Sequence, residues 1–333
     1  MQNIDILFEV IGLEGGISKK VIEKALRNKI HVITPNKALI SKHGDYLSNL
    51  AEKNNVNLEF EASVAGGIPI LRTIKEGLAT NKINKIYGIL NGTRNYILSE
   101  MEKTKDDFSN VLKKAQQLGY AEPSNPKLDL NGYDAISKVK ILSALAFNIR
   151  IPKTKSLMEG IENISFKDIE IANQLNYRIK LLGITELING KVFERVHPCL
   201  VNKNSYIANV NGVMNAVIVK GKPVGESILQ GEGAGPGATS SALMSDLLSI
   251  LRGNIKYPFG IAYSKRKILN TYNTDNYLNS LYLRFEVKDK PGVLSIITKQ
   301  LAVKKISVAR LIQIPNHKNK TASIVIITHK SNE

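Results

Sequence analysis

The 333-residue chain has no tryptophan and one cysteine, Cys199. A single cysteine cannot build a disulfide framework within one chain, so the expected setting is a reducing, cytoplasmic one. Aromatic residues make up only 6% of the chain, and nothing resembles the stacking platform of an RNA-binding sheet. No apolar run approaches the ~20 residues of a membrane-spanning helix, so no membrane partner is expected. No basic leader precedes the first apolar stretch, which argues against a secretory signal. The histidines (His31, His43, His197, His317, His329) and Cys199 lack metal-ligand spacing. Acidic residues are outnumbered, 29 Asp and Glu against 46 Lys and Arg, for a net charge of +17. The lysines occur singly or in pairs, such as Lys19 with Lys20, without a dense basic block. That distribution reads as a lysine-rich surface rather than a nucleic-acid site, and a positive field would favour an anionic cofactor.

What is present suits two or three ordinary domains, since 43% of the residues are hydrophobic and the chain is long enough to bury ample core. Residues 4–12, IDILFEVIG, read as a buried strand closed by glycine. A helix follows, with Val21, Ile22, Ala25 and Leu26 at helical spacing and Ser18 as the expected cap. HVITPNK (31–37) is a second strand ending at proline. Strand, helix and strand in about 30 residues make a parallel crossover unit of a doubly wound sheet. A helix over 38–53 and a strand over 56–64 come next, then a Gly-Gly turn into a helix with Pro69 in its first turn. An NGT turn links a strand to a helix near residue 91, and a further helix stops at Gly119. Residues 181–229 are β-rich, residues 264–277 are polar and read as a linker, and the tail reads strand, helix, strand, strand.

Two places invite chemistry. GEGAGPGA (231–238) matches the G-x-G-x-x-G/A spacing through Gly233, Gly235 and Ala238, but no acidic residue follows at the distance a ribose would need. It is therefore not the main dinucleotide fingerprint. It remains either a ligand-facing backbone loop at a helix start or simply a tight turn needing positive φ. The helix from Asp134 is the stronger candidate. Asp134, Lys138, Ile141, Leu142 and Leu145 share one face that is otherwise apolar. Burial lowers a lysine's pKa and a neighbouring aspartate raises it, so Lys138 could exchange a proton with a substrate oxygen. The competing reading is an ordinary Asp–Lys surface pair or a snorkelling lysine. Glu122 and Asp129 stand in the Pro-rich loop before this helix, where carboxylates could attract an ammonium group or simply face water. Lys37 ends a sheet strand, where crevices form in open α/β folds.

Taken in order, TPNKALI (34–40), FEASVAGGIPILRT (60–73), NGTRNYIL (91–98), LGYAEP (118–123), LDLNGYDAISK (128–138), NGVMNAV (211–217) and GEGAG (231–235) resemble the homoserine dehydrogenase family over residues 4–253. KDKPGVL (288–294) resembles the ACT ligand-binding module often fused to bacterial members. The resemblance implies an NAD(P)-dependent oxidoreductase that interconverts L-homoserine and L-aspartate 4-semialdehyde in threonine, methionine and isoleucine biosynthesis. It assigns Lys138, Lys37 and Asp134 to catalysis. Glu122, Asp129, Asp134, Thr93 and Tyr120 fall to the substrate, and Lys37, Gly119, Glu122 and Gly235 to the cofactor. Glu61, Val64, Gly66 and Ile68 match a monovalent-cation site, usually sodium. A homodimer is expected.

The fold expected is α/β: a partial Rossmann-type parallel sheet (1–60, completed by 238–260), an α+β catalytic and dimerisation domain (61–237), a linker (261–279) and a partial ferredoxin-like ACT module (280–333). The family opens on a glycine-rich strand–helix unit that does not precede Ile4, and its loop after the glutamate carries an Asp-Pro where this chain has EPSNPKLD. The alternative reading is a non-catalytic, dimeric amino-acid-binding scaffold.

Overall fold

The computed structural model describes residues 4–121, 133–153, 156–254, 257–316 and 318–332. The chain divides into two compact units, Met1–Thr271 and Tyr272–Glu333. The division falls inside the stretch expected as a linker. Residues up to 271 stay with the first unit because Arg266 is buried there, with its guanidinium on Asp45 at 3.0 Å and on the Ser48 hydroxyl at 2.7 Å.

The first unit opens with a parallel three-stranded sheet, β1 (Ile6–Phe8), β2 (His31–Ile33) and β3 (Leu58–Glu59), in that spatial order. Helices α1 (Gly16–Arg27) and α2 (Lys37–Asn54) make the crossovers, as parallel pairing requires. Ile22, Leu26, Leu39 and Leu47 are fully buried, and the helical spacing of these residues is what anchors both helices. Asn36 caps α2 by accepting from the Leu39 amide, and Asn55 ends it in the left-handed conformation with φ 55°.

Four sequence expectations change here. β2 stops at Ile33, so Lys37 opens α2 rather than ending a strand. β1 is three residues, not nine: Val10 and Ile11 are exposed, and the Glu9 carboxylate takes the Ile11 amide and the Thr34 hydroxyl instead. Ser18 does not cap α1, which starts after Gly15; its hydroxyl lies inside the first turn and accepts from the Leu13 amide. β3 stops at Glu59, and Glu61–Ser63 form a 3-10 turn. The cause is long-range, because the Glu61 carboxylate caps the start of α3 (Ile70–Arg72) by accepting from the Leu71 and Arg72 amides, each at 2.8 Å.

Next come β4 (Lys82–Ile89), α4 (Gly92–Thr104), α5 (Phe108–Gln117), α6 (Tyr133–Ala146), β5 (Leu157–Met158) and α7 (Phe166–Gln174). Four strands follow, β6 (Tyr177–Ile188), β7 (Lys191–Asn202), β8 (Met214–Lys222) and β9 (Gly225–Glu232), then helix α8 (Pro236–Leu251). Strands β4 to β9 form one sheet in the order β5-β7-β6-β4-β8-β9, antiparallel except for the β5–β7 pair. Alternation along the strands gives the sheet two apolar faces. One, including Ile86, Leu181, Val217 and Val219, joins the large core shared with Val139 and Leu142 of α6. The other gathers Ile89, Leu182, Ala216 and Ile218 with Ile207 and Val210.

The second unit contains β10 (Leu278–Asn279), β11 (Tyr282–Lys288), α9 (Val293–Val303), β12 (Val308–Asn316), β13 (Thr321–Thr328) and β14 (Ser331–Asn332). The expected strand–helix–strand–strand order holds. β13 is central in an antiparallel β11-β13-β12 sheet, and Leu301 of α9 packs with Ile324 and Ile326. Among the described residues no helix is long and apolar enough to cross a membrane.

Candidate active site

Helix α6 is apolar along the face expected from its spacing: Ile141, Leu142 and Leu145 are buried, and so is Lys138, at 7% exposure. The lysine is therefore neither a surface pair nor a snorkelling side chain. Its Nζ donates to Asp134 Oδ2 at 2.8 Å and to the Leu90 carbonyl at 2.7 Å. The other oxygen of Asp134 takes Lys37 Nζ at 2.9 Å. Lys37 is the first residue of α2, so the helix that leaves β2 delivers it to α6.

One carboxylate thus lies between two ammonium groups. Burial opposes charge on Asp134, but Lys138 and Lys37 outweigh it and hold the carboxyl well below the usual carboxylate range. Burial pulls Lys138 below its ordinary value; Asp134 offsets part of this, and Lys37 and Arg94 push in the same direction as burial. A desolvated lysine held next to a fixed anion can give up a proton and recover it near physiological pH more readily than a solvated one.

The NGT turn supplies the opposite wall. Asn91 caps α4, accepting from the Arg94 amide at 3.0 Å, and its Nδ2 donates to Asp134 Oδ2 at 3.3 Å. The Thr93 hydroxyl donates to the Tyr120 carbonyl at 2.5 Å, and the Tyr120 ring meets Tyr96 edge-on at 4.9 Å between centroids. Gly119 ends the α5 segment with φ 74°, and among the described residues an added Cβ there would meet nothing within 4 Å. The same holds at Gly235, with φ 105° at the start of α8.

Two of the residues expected at a cation site, Gly66 and Ile68, pack on the glycine loop. Gly66, with φ 39°, lies so close to Gly233 that a Cβ would sit 2.7 Å from its carbonyl oxygen, and the Gly67 amide donates to the Glu232 carbonyl at 2.9 Å. Glu61, Val64 and Ile68 are buried, and Ile68 lies against Gly231 of the loop. The Glu61 carboxylate is engaged by the α3 amides, so what this stretch can offer an ion is backbone carbonyl oxygen. Among the described residues no cluster of three His, Cys, Asp or Glu could hold a metal. Glu122 and Asp129 lie outside the described residues.

The structure joins Lys37, Asp134 and Lys138 directly and pairs Thr93 with Tyr120. Asn91 and the Leu90 carbonyl were not singled out from the sequence. The signal available was the N-G-T turn itself, an asparagine at a strand–helix junction.

Family models give the same picture as the fold. The homoserine dehydrogenase model matches residues 69–248, and the NAD-binding domain model of homoserine dehydrogenase matches residues 1–61. A homoserine dehydrogenase of Neisseria gonorrhoeae is 42% identical over 100% of this chain and 77% of its own length. That of Pseudomonas aeruginosa is 38% identical over 98% of this chain and 76% of its own. The crystal structure of a homoserine dehydrogenase from Thiobacillus denitrificans superposes with a TM-score of 0.92 at 38% identity, covering 99% of this chain and 76% of that one. A hyperthermophilic archaeal homoserine dehydrogenase mutant in complex with NADPH has a TM-score of 0.65 at 28% identity, over 76% of this chain and 73% of that one.

Proposed function

The chain belongs to the homoserine dehydrogenase family, and from that premise we propose that it interconverts L-homoserine and L-aspartate 4-semialdehyde, with Lys138 as the proton carrier. The observation that carries this reading is the buried lysine pinned between Asp134 Oδ2 and the Leu90 carbonyl. Two of its three protons are committed there, and we assign the third to the substrate's C4 oxygen.

A bound nicotinamide cofactor supplies or accepts the hydride at C4. In the reducing direction Lys138 protonates the developing alkoxide, and in the oxidising direction the neutral amine takes the hydroxyl proton. Asp134 fixes Lys138 and Lys37 relative to each other, and Lys37 adds positive charge where negative charge develops on oxygen. Gly119 and Gly235, where no described residue lies within 4 Å of an added Cβ, would allow close approach of a flat ring or a phosphate to the backbone. We assign Thr93 and Tyr120 to the substrate wall, and Glu122 and Asp129, by family resemblance alone, to the amino acid's ammonium group.

The 61–68 turn fits a monovalent cation. Glu61, Val64, Gly66 and Ile68 would hold sodium through carbonyl oxygens, the hard donors such an ion takes. The second apolar face of the six-stranded sheet, with Tyr87, Ile184 and Met214 only partly buried around it, supports a homodimer built on that face. We assign residues 1–60 with 238–260 to the cofactor domain, 61–237 to catalysis and dimerisation, 261–279 to a linker, and 280–333 to a regulatory role of the ACT type. The family match favours the enzyme over an amino-acid-binding scaffold.

The test is direct. Purified protein is mixed with L-aspartate 4-semialdehyde and NADH or NADPH, and the reduced cofactor is followed by absorbance. Consumption that depends on semialdehyde, with L-homoserine as product, supports the reading. Its absence with both cofactors rejects it.

A further inference from the structure

Lys138 is held by two consecutive residues of one turn. Leu90, directly after β4, accepts its proton at 2.7 Å. Asn91, the cap of α4, donates to the same Asp134 oxygen that Lys138 occupies. We propose that Asn91 is a positioning residue for the Asp134–Lys138 pair, fixing the carboxylate so that the lysine faces the substrate oxygen. This rests on Lys138 being the proton carrier.

The amide of Asn91 has only one orientation that works. Its Oδ1 accepts from the Arg94 amide, which can only donate, so its Nδ2 must face Asp134. The three donors to Asp134 among the described residues come from different elements: Lys37 from α2, Asn91 from the β4–α4 turn, and Lys138 from its own helix. A carboxylate held from three sides cannot swing, and the lysine it holds cannot either. A neutral donor on Oδ2 also draws charge from that oxygen, so the anion binds the ammonium less tightly than it otherwise would. Among the described residues, the charged groups facing Lys138 are Asp134 on its own helix, Lys37 on α2 and Arg94 on α4. A change of charge at Asn91 would act on this set.

Two variants separate positioning from capping, since Asp and Ser both cap helices well. Asn91→Ser keeps the cap but is too short to reach Asp134. Asn91→Asp keeps the cap and the reach but replaces a donor with a negative charge. The protonation of Lys138 is read by competitive acetylation across pH in the protein without cofactor, resolved by peptide mass spectrometry, with Lys140 as the control in the same helix. Asn91→Asp should raise the Lys138 midpoint by about one pH unit and leave Lys140 unchanged. The low-pH limb of homoserine oxidation should move up equally, because oxidation needs the neutral amine. Asn91→Ser should lower kcat by about fivefold, the worth of one hydrogen bond, with a smaller change in KM and an unchanged melting temperature. A Lys138 midpoint in Asn91→Asp equal to that of the parent overturns the proposal and leaves Asn91 a helix cap. The labelling result stands whether or not Lys138 proves catalytic, so failure of the functional reading is told apart from failure of this one.

Discussion

Asp134 and Lys138, one helical turn apart on α6, form an ion pair with Nζ and Oδ2 at 2.8 Å, and the lysine is buried. Taking an ammonium group out of water costs several kcal/mol unless its partners are in place. Here the partners are the aspartate and a backbone carbonyl, and the aspartate is shared with Lys37. Among these described residues, two cations share one anion. The excess positive charge lies where the proposed reaction would develop negative charge on oxygen.

Asp134→Asn should leave Lys37 and Lys138 facing each other without a counter-charge. Asp134 raises the Lys138 pKa, so its loss lets burial and Lys37 push that pKa lower still. The low-pH limb of homoserine oxidation then moves to lower pH, and turnover drops by roughly 10²-fold because the lysine is no longer positioned. The folded protein also loses stability, by about 3–5 kcal/mol for a broken buried pair. The Asp134 pKa is depressed in the fold, so this contribution is present above the ordinary carboxylate range and disappears only as pH falls well below it. A pH–rate profile and melting curves check both, and an unmoved limb would argue against the coupling.

Asp246 behaves in the opposite sense. It is buried on α8, accepts from the Glu61 amide at 2.9 Å and meets Arg72 at 3.2 Å. Burial, helped by nearby Glu59 and Glu61, pushes its pKa up to about 7 from 3.8 despite Lys75. A raised acid pKa means that the folded state binds the proton more tightly than the unfolded one. Its contribution is full below about 3.8 and is lost as pH rises through about 7. Asp246→Asn, which keeps a neutral side chain at all pH values, should therefore gain in melting temperature relative to the parent as pH rises from 4 to 8. A difference that stays flat across that range would show that Asp246 does not titrate there.

Much of this was legible in the sequence, and what was legible had local causes. Helix α2 follows from Pro35, Asn36 and the spacing of Leu39, Leu47 and Leu50. The Asp134–Lys138 face follows from i, i+4 geometry alone. The short β1 and β3 were not legible, because their apolar runs continue past the last ladder hydrogen bond. What stops them is a carboxylate reaching a distant partner: Glu9 to Thr34, and Glu61 to the amides of Leu71 and Arg72. Asn91 and Asp134 meet across 43 positions, which no periodicity records. Lys180 is another such case. It is buried on β6, its protons go to Asn95 Oδ1, the Val210 carbonyl and Asn211 Oδ1, and burial draws its pKa to about 8. In the sequence it reads as one more surface lysine.

Gly66→Val should damage the glycine loop and the proposed cation turn together. Valine is strained at φ 39°, and its Cβ would meet the Gly233 carbonyl at 2.7 Å. The expected loss is about 1–3 kcal/mol of stability, with a weakened dependence of activity on sodium concentration. Activity titrated with sodium chloride against choline chloride at constant ionic strength measures the second effect. Identical sodium dependence in variant and parent would remove the cation from this turn.

The central claim is that Lys138 carries the proton, and turnover of Lys138→Met tests it most directly. Methionine keeps the length and apolar body of the side chain, so the α6 face should stay filled and the melting curve cooperative. The account predicts that kcat for homoserine oxidation falls by about 10²–10⁴-fold, the usual worth of a positioned acid–base group, and that raising pH does not restore it. A kcat within about threefold of the parent's, well short of that effect, in a protein that remains folded, would contradict it.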